Sequence, residues 1–159
     1  GVAAGERIEL VAPATARWNA ETGNTCTNSQ LFRRCLYLVT AVANNAVYLN
    51  YLEECRDRWV HAVLGPTANF VIVRVAIDYR RELSLEDEEV LVTCRGIGYG
   101  TSSVRTQERV YAKAGWLAAE AESVVVAHDP DARTARALTD EERARLDIAI
   151  AADADDEPA

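Results

Sequence analysis

From Asn44 onward the apolar positions recur with helical spacing. Tyr48, Leu52, Cys55 and Trp59 follow one another at intervals of four, three and four residues, and Leu49 and Val60 widen the stripe. Asn50, Glu53, Asp57 and Arg58 fall on the opposite face. Asn44 or Asn45 can cap the start by accepting a hydrogen bond from a free first-turn amide. Gly65-Pro66 ends the helix. The period then drops to two: Val71, Val73, Val75, Ile77 and Tyr79 alternate with Arg74, Ala76, Asp78 and Arg80, which predicts a strand over Phe70 to Arg80. Glu89 to Arg95 and Ser103 to Tyr111 are two further strands, joined by the glycine-rich segment Gly96 to Ser102, which suits a bulged or flexible connection. Trp116 to His128 is a long last strand, stopped by Asp129-Pro130-Asp131. Thr139, with Glu142 three residues on, has capping-box spacing and opens a terminal helix through about Ile150.

The first forty residues are less regular. Arg7 to Val11 reads as a strand, and Pro13 confines any continuation toward Trp18 to an edge or bulge. Residues 19 to 30 are rich in Asn, Thr, Gly and Ser, which satisfy backbone groups locally and favour loop. Leu36 to Val42 reads as buried strand or helix. The whole order is strand, long helix, four antiparallel strands and a terminal helix, with no alternating strand–helix rhythm. That predicts an α+β fold in which one antiparallel sheet wraps a long central helix. Residues 1–150 form one domain in this reading, and 151–159 form a disordered acidic tail.

Composition narrows the classes. The chain has 159 residues, 49% of them apolar, enough for one domain with a proper core. A net charge of −8 disfavours nucleic acid and anionic membrane as partners. Cys26, Cys35, Cys55 and Cys94 show no metal-ligand spacing with each other or with His61 and His128, so reduced thiols and no metal are expected. No apolar run approaches the roughly 20 residues of a membrane helix. The first residues lack the order of a secretion signal, which makes the cytoplasm the expected compartment.

The segment Asn44-Asn45-Ala46-Val47-Tyr48-Leu49, followed by Tyr51-Leu52-Glu53-Glu54 and Arg56, resembles the central-helix signature of hotdog thioesterases of the 4-hydroxybenzoyl-CoA thioesterase type. Arg74 to Arg81 is similar to the strand and basic turn that follow that helix, and Ile97-Gly98 to Ser102-Ser103 and Trp116-Leu117-Ala118 also fit. The resemblance runs from about Asn44 to Leu146. It implies the hotdog fold, a homodimer or homotetramer, and hydrolysis of an acyl-CoA or acyl-carrier-protein thioester, with coenzyme A entering as part of the substrate and no further cofactor. These enzymes usually carry Asp-x-x-Gly-His-x before the paired asparagines, whereas this chain reads Leu38-Val39-Thr40-Ala41-Val42-Ala43 and has Leu38 in the aspartate slot. An alternative alignment treats residues 24–43 as an insertion and brings Glu21 to that slot.

In the implied fold, the thioester carbonyl sits at the N-terminus of the helix, where free amides and the helix dipole stabilise an oxyanion. Leucine cannot be the base that activates water, so either Glu21 takes that role under the alternative alignment or water adds without a base. Asn44 and Asn45 either position substrate or water, or simply cap the helix. Tyr48 either reaches the acyl pocket or packs in the core. Arg80, Arg81 and Arg105 offer forked, always-charged contacts to the phosphates of coenzyme A. Gly98, Gly100, Ser102 and Ser103 offer amides or hydroxyls to pantetheine or phosphate. His61 and His128 read as structural, and without a GxSxG elbow a serine triad is disfavoured. The competing class is a non-catalytic hotdog protein that binds an acyl-CoA or acyl-carrier protein.

Overall fold

The computed structural model of the protein describes residues 8–10, 35–38, 45–87 and 89–155. The helical stripe becomes α1, Asn45–Leu64. Its buried face is Tyr48, Tyr51, Leu52, Cys55, Arg56, Trp59, Val60 and Leu64, which is the expected Tyr48, Leu52, Cys55, Trp59 and Val60 with Tyr51, Arg56 and Leu64 added. Leu49 departs from expectation, lying on the exposed side of the turn. Each fully buried apolar side chain such as Leu52 contributes about 1.5–3 kcal/mol. Gly65, at φ +101°, ends the helix and donates its amide to the His61 carbonyl at 3.0 Å.

Strands β1 (Ile8–Leu10), β2 (Cys35–Leu38), β3 (Phe70–Tyr79), β4 (Glu89–Tyr99), β5 (Ser103–Ala112), β6 (Leu117–Asp129) and β7 (Thr134–Ala135) pair antiparallel throughout. The sheet runs β1-β4-β5-β6-β3, with β7 on β6. Both β1 and β2 lie on the same edge of β4: Leu10 and Cys35 each pair with Val92, so the two short strands continue one another along that edge. The inward face of β5 is Val104, Thr106, Glu108, Val110 and Ala112, and it lies beneath α1.

Three expectations need correction. The apolar face of β3 does not stay together, because the register shifts between Ile72 and Arg74, and a bulge re-aims alternate side chains. Val75 and Ile77 pack on the core, whereas Val71, Ile72 and Val73 are 40%, 45% and 59% exposed on this end strand. The glycine-rich segment carries the expected bulge, between Gly96 and Gly98, but is mostly strand and not connection, since β4 runs to Tyr99. The terminal helix α2 (Asp140–Asp155) passes Ile150 and enters the stretch expected to be disordered. Asp153 holds it there, buried and accepting the Gly96 amide at 3.0 Å. The capping box forms as expected: the Thr139 amide donates to Glu142 at 2.8 Å, and the Glu142 amide donates to the Thr139 hydroxyl at 3.1 Å.

Candidate functional site

The first turn of α1 is where free backbone amides and the positive end of the dipole coincide. Asn45 is its first residue and is exposed; Asn44 and Glu21 lie outside the described residues. One turn further in, Tyr48 is 3% exposed and meets Tyr79 of β3 edge to face, at 5.2 Å between centroids and 77° between planes. Burial pushes the Tyr48 hydroxyl above its ordinary range, and a hydrogen bond from the Leu83 backbone partly offsets this. Tyr48 is therefore a core residue whose phenol stays neutral, and it forms a wall behind the helix start.

Arg80 and Arg81 follow Tyr79 and lie at this same end. Their amides donate to the Ala118 carbonyl at 2.8 and 3.1 Å, which fixes the backbone while leaving both side chains exposed. The Arg80 guanidinium bonds Glu120 at 2.6 Å and lies 3.6 Å from Asp78. This contact holds the Glu120 carboxyl below the usual carboxylate range. The Arg81 guanidinium stacks over the Trp116 ring at 4.2 Å. Arg81 thus presents a pre-oriented cation on an aromatic support, and Arg80 must exchange Glu120 before it can bind phosphate.

Gly98, Ser102 and Ser103 are elsewhere. They belong to the β4–β5 hairpin at the opposite end of β5, roughly 20–30 Å from the Arg81 end at the usual rise of a strand. Gly98 sits at the bulge, with the Arg105 guanidinium 3.1 Å from where a Cβ would be. The Ser102 carbonyl accepts the Ala127 amide at 2.8 Å, and the Ser103 carbonyl accepts the Gly100 amide at 2.8 Å. Helix α2 and the residues just before it clamp the hairpin: Leu138 N–H and Arg143 Nη2 both donate to the Thr101 carbonyl, at 2.8 and 3.0 Å. Within one chain, then, Tyr48, one turn after Asn45, meets Tyr79, which leads directly into Arg80 and Arg81, whereas Gly98, Ser102 and Ser103 lie at the other end of the sheet.

A buried polar group beneath α1 escaped the sequence reading. Glu108 is fully buried, and its carboxylate accepts the Thr106 hydroxyl at 2.7 Å and the Ser123 hydroxyl at 2.9 Å, with Arg56 Nη1 at 3.5 Å. Burial raises the Glu108 carboxyl, against the pull of these donors. Cys55 and Cys94 lie alongside as free, buried thiols, and burial pushes the Cys94 thiol well up, which makes it a poor nucleophile. The available signal was that Glu108 shares the inward alternation of Val104 and Val110, and that Arg56 falls within the helical stripe.

The sequence profile of the thioesterase-like superfamily matches residues 37–150. Among solved structures, the chain is similar to a thioesterase from Thermus thermophilus complexed with coenzyme A and zinc, at 31% identity and TM-score 0.60, covering 70% of this chain and 83% of that one. It is similar to a probable thioesterase from Escherichia coli at 28% identity and TM-score 0.56, covering 70% and 89%. A Staphylococcus aureus protein in complex with CoA shares the fold at 14% identity and TM-score 0.64, covering 78% and 84%. Curated proteins yield no match. With an antiparallel sheet around a long helix and a profile match over well more than half its length, the chain belongs to the thioesterase-like superfamily and has the hotdog fold.

Proposed function

We propose that this protein hydrolyses acyl-CoA thioesters, with the thioester carbonyl held at the N-terminus of α1. The observation that carries the reading is the superfamily match over residues 37–150, joined by a coenzyme A-bound thioesterase at 31% identity. The chemistry of the helix start agrees with it. Free first-turn amides can donate to the carbonyl oxygen and stabilise the charge that develops when water adds. Asn45, with Asn44, orients substrate or water there, and Glu21 supplies a carboxylate if the chain before α1 brings it to the slot that Leu38 occupies. Tyr48 backs the acyl group. Arg81 on Trp116, and Arg80 once released from Glu120, bind phosphate.

The working unit in this reading is a homodimer. Strand β3 ends the sheet and exposes Val71, Ile72 and Val73, an edge that a second copy can extend. Gly98, Ser102 and Ser103, remote from the helix start within one chain, then contact coenzyme A only as residues contributed by another copy. The test is release of free thiol from a panel of acyl-CoAs of increasing chain length. Turnover of at least one is expected. Stabilisation by coenzyme A with no turnover of any acyl-CoA would replace the hydrolase by a non-catalytic binder.

A further inference from the structure

A cleft of about 280 Å³ opens between the second half of α1 and the start of β3, and its lining includes Glu53, Arg56, Asp57, Val60, Phe70 and Val125. Arg56 is its floor, with a side chain only 5% exposed. Both hydrogen bonds that anchor it, to Glu108 at 3.5 Å and to Ser123 at 3.2 Å, leave from Nη1. Nε and Nη2 make none among the described residues. Neither atom is fully sealed off, and the opening beside them is the cleft. A deeply buried guanidinium therefore keeps unspent donors aimed at an open space, and the site at the helix start uses none of them.

The charges around that floor define what fits it. Glu108 offsets Arg56 from the sheet side, so the floor offers hydrogen-bond donors with little net charge. Glu53 and Asp57 stand at the exposed mouth, one helical turn apart, roughly 6 Å. Neither makes a hydrogen bond or close ion pair among the described residues. Partial burial raises the Asp57 carboxyl above its ordinary range; Arg56 draws it back and Glu53 pushes it up again. A cation between the two carboxylates relieves that repulsion, whereas an anion meets both of them before it reaches Arg56. Buried donors are costly to leave idle, and an acceptor oxygen carried in with the cation satisfies them.

We propose that this cleft binds a small organic cation that also carries an acceptor oxygen, in its simplest form an amino alcohol. The oxygen accepts from Nε and Nη2 of Arg56, and the ammonium group lies between Glu53 and Asp57. Arg56 and Asp57 are adjacent in the chain, so a short carbon chain spans the two groups, with Val60, Phe70 and Val125 as its apolar walls. Arg56 lies roughly 16 Å along the helix from Asn45, which separates this site from the α1 start within one chain. The inference goes beyond the hydrolase reading and does not depend on it.

A chemical-shift titration of the full chain, in the assembly it forms, gives the test, read at the backbone amides of α1 and at arginine Nε–H. The probes are aminopropanol, propylamine, propanol and propionate. Aminopropanol should shift the Arg56 Nε–H and the amides around Asp57, with the millimolar affinity of so small a ligand. It should bind about tenfold more tightly than propylamine, which lacks the oxygen, or propanol, which lacks the charge. Propionate should not bind. Glu53→Gln with Asp57→Asn should reduce aminopropanol to the level of propanol. Arg56→Met with Glu108→Leu should reduce it to the level of propylamine; if that variant does not fold, the probe series on the wild type decides alone. Equal binding of aminopropanol and propylamine overturns the proposal, because Arg56 then recognises nothing. Tightest binding by propionate, or no shift at Arg56 with any probe, overturns it as well. None of these readouts uses turnover, so failure here leaves the hydrolase reading standing, and absence of turnover leaves this site standing.

Discussion

The two faces of the sheet treat the same chemistry in opposite ways. On the inner face, Arg56 of α1 and Glu108 of β5 are buried and joined by Thr106 and Ser123. On the outer face, Arg80 pairs with Glu120 at 2.6 Å and Arg74 with Glu122 at 3.7 Å, in the open. The outer contacts include the shorter distances, yet water competes for every one of them, so they hold little of the fold. The inner pair has the longer contact, yet both charges are buried and their other partners, Thr106 and Ser123, are neutral hydroxyls, so each charge depends on the other. Position, more than distance, decides which ion pair matters.

The largest expected effect follows from removing one inner partner. Glu108→Ala leaves the buried Arg56 charge without a counter-ion, at a cost of about 3–5 kcal/mol. For a chain of this size that lowers the melting temperature by roughly 10 °C. Replacing both members, as Arg56→Met with Glu108→Leu, should recover most of the loss, because the desolvation of both charges disappears together. If thermal melting finds the single variant as stable as the wild type, the inner pair behaves like a surface pair and the contrast fails.

This pair also marks the limit of what the sequence made legible. The stripe Tyr48, Leu52, Cys55, Trp59, the four long strands and the Thr139–Glu142 box could all be read, because each is periodic or local and expresses short-range physics. Arg56–Glu108 joins residues 52 apart, and a carboxylate on a strand gives no sign of which arginine will meet it. The β3 bulge was hidden because an apolar run from Phe70 to Val73 looks alike whether it faces a core or a free edge. Of the candidate site, the sequence grouped by resemblance what the fold separates: Arg80 and Arg81 adjoin the helix start, while Gly98, Ser102 and Ser103 lie across the sheet. The cleft between Asp57 and His61 of α1 and Asn69 to Ile72 was unreadable because its second wall depends on how α1 lies against β3.

Packing on the inner face offers a second test, of intermediate size. A Cβ at Gly96 would fall 2.6 Å from Trp59 Cζ2 and 3.0 Å from Ile150 Cγ1, with β4 backbone on one side and two helices on the other. Gly96→Ala must push α1 or α2 away from the sheet, and overpacking of this kind costs about 1–3 kcal/mol. The same displacement weakens the bond from the Gly96 amide to Asp153. Amide hydrogen exchange should therefore show faster opening at the C-terminal end of α2 than in β3. Uniform protection with an unchanged melting temperature would mean that the helices yield freely and that the inner face is softer than its contacts imply.

The smallest effect belongs to the outer face, and pH reveals it better than temperature at neutrality. Arg80 holds Glu120 below the ordinary carboxylate value, so its contribution is present above the unfolded value near 4.3 and is lost as pH falls through the lowered folded one. Glu108 has the opposite sign: its folded value is raised, so its ionisation opposes folding as pH climbs from the ordinary value toward the raised one. Glu120→Gln should melt close to the wild type at pH 7, with the small difference shrinking in high salt, and the two curves should converge below the folded Glu120 value. Melting curves taken from pH 7 down to pH 3 decide the matter. A Glu120→Gln loss at pH 7 as large as that of Glu108→Ala would show that the exposed ladder, and not the buried pair, holds the sheet to its shape.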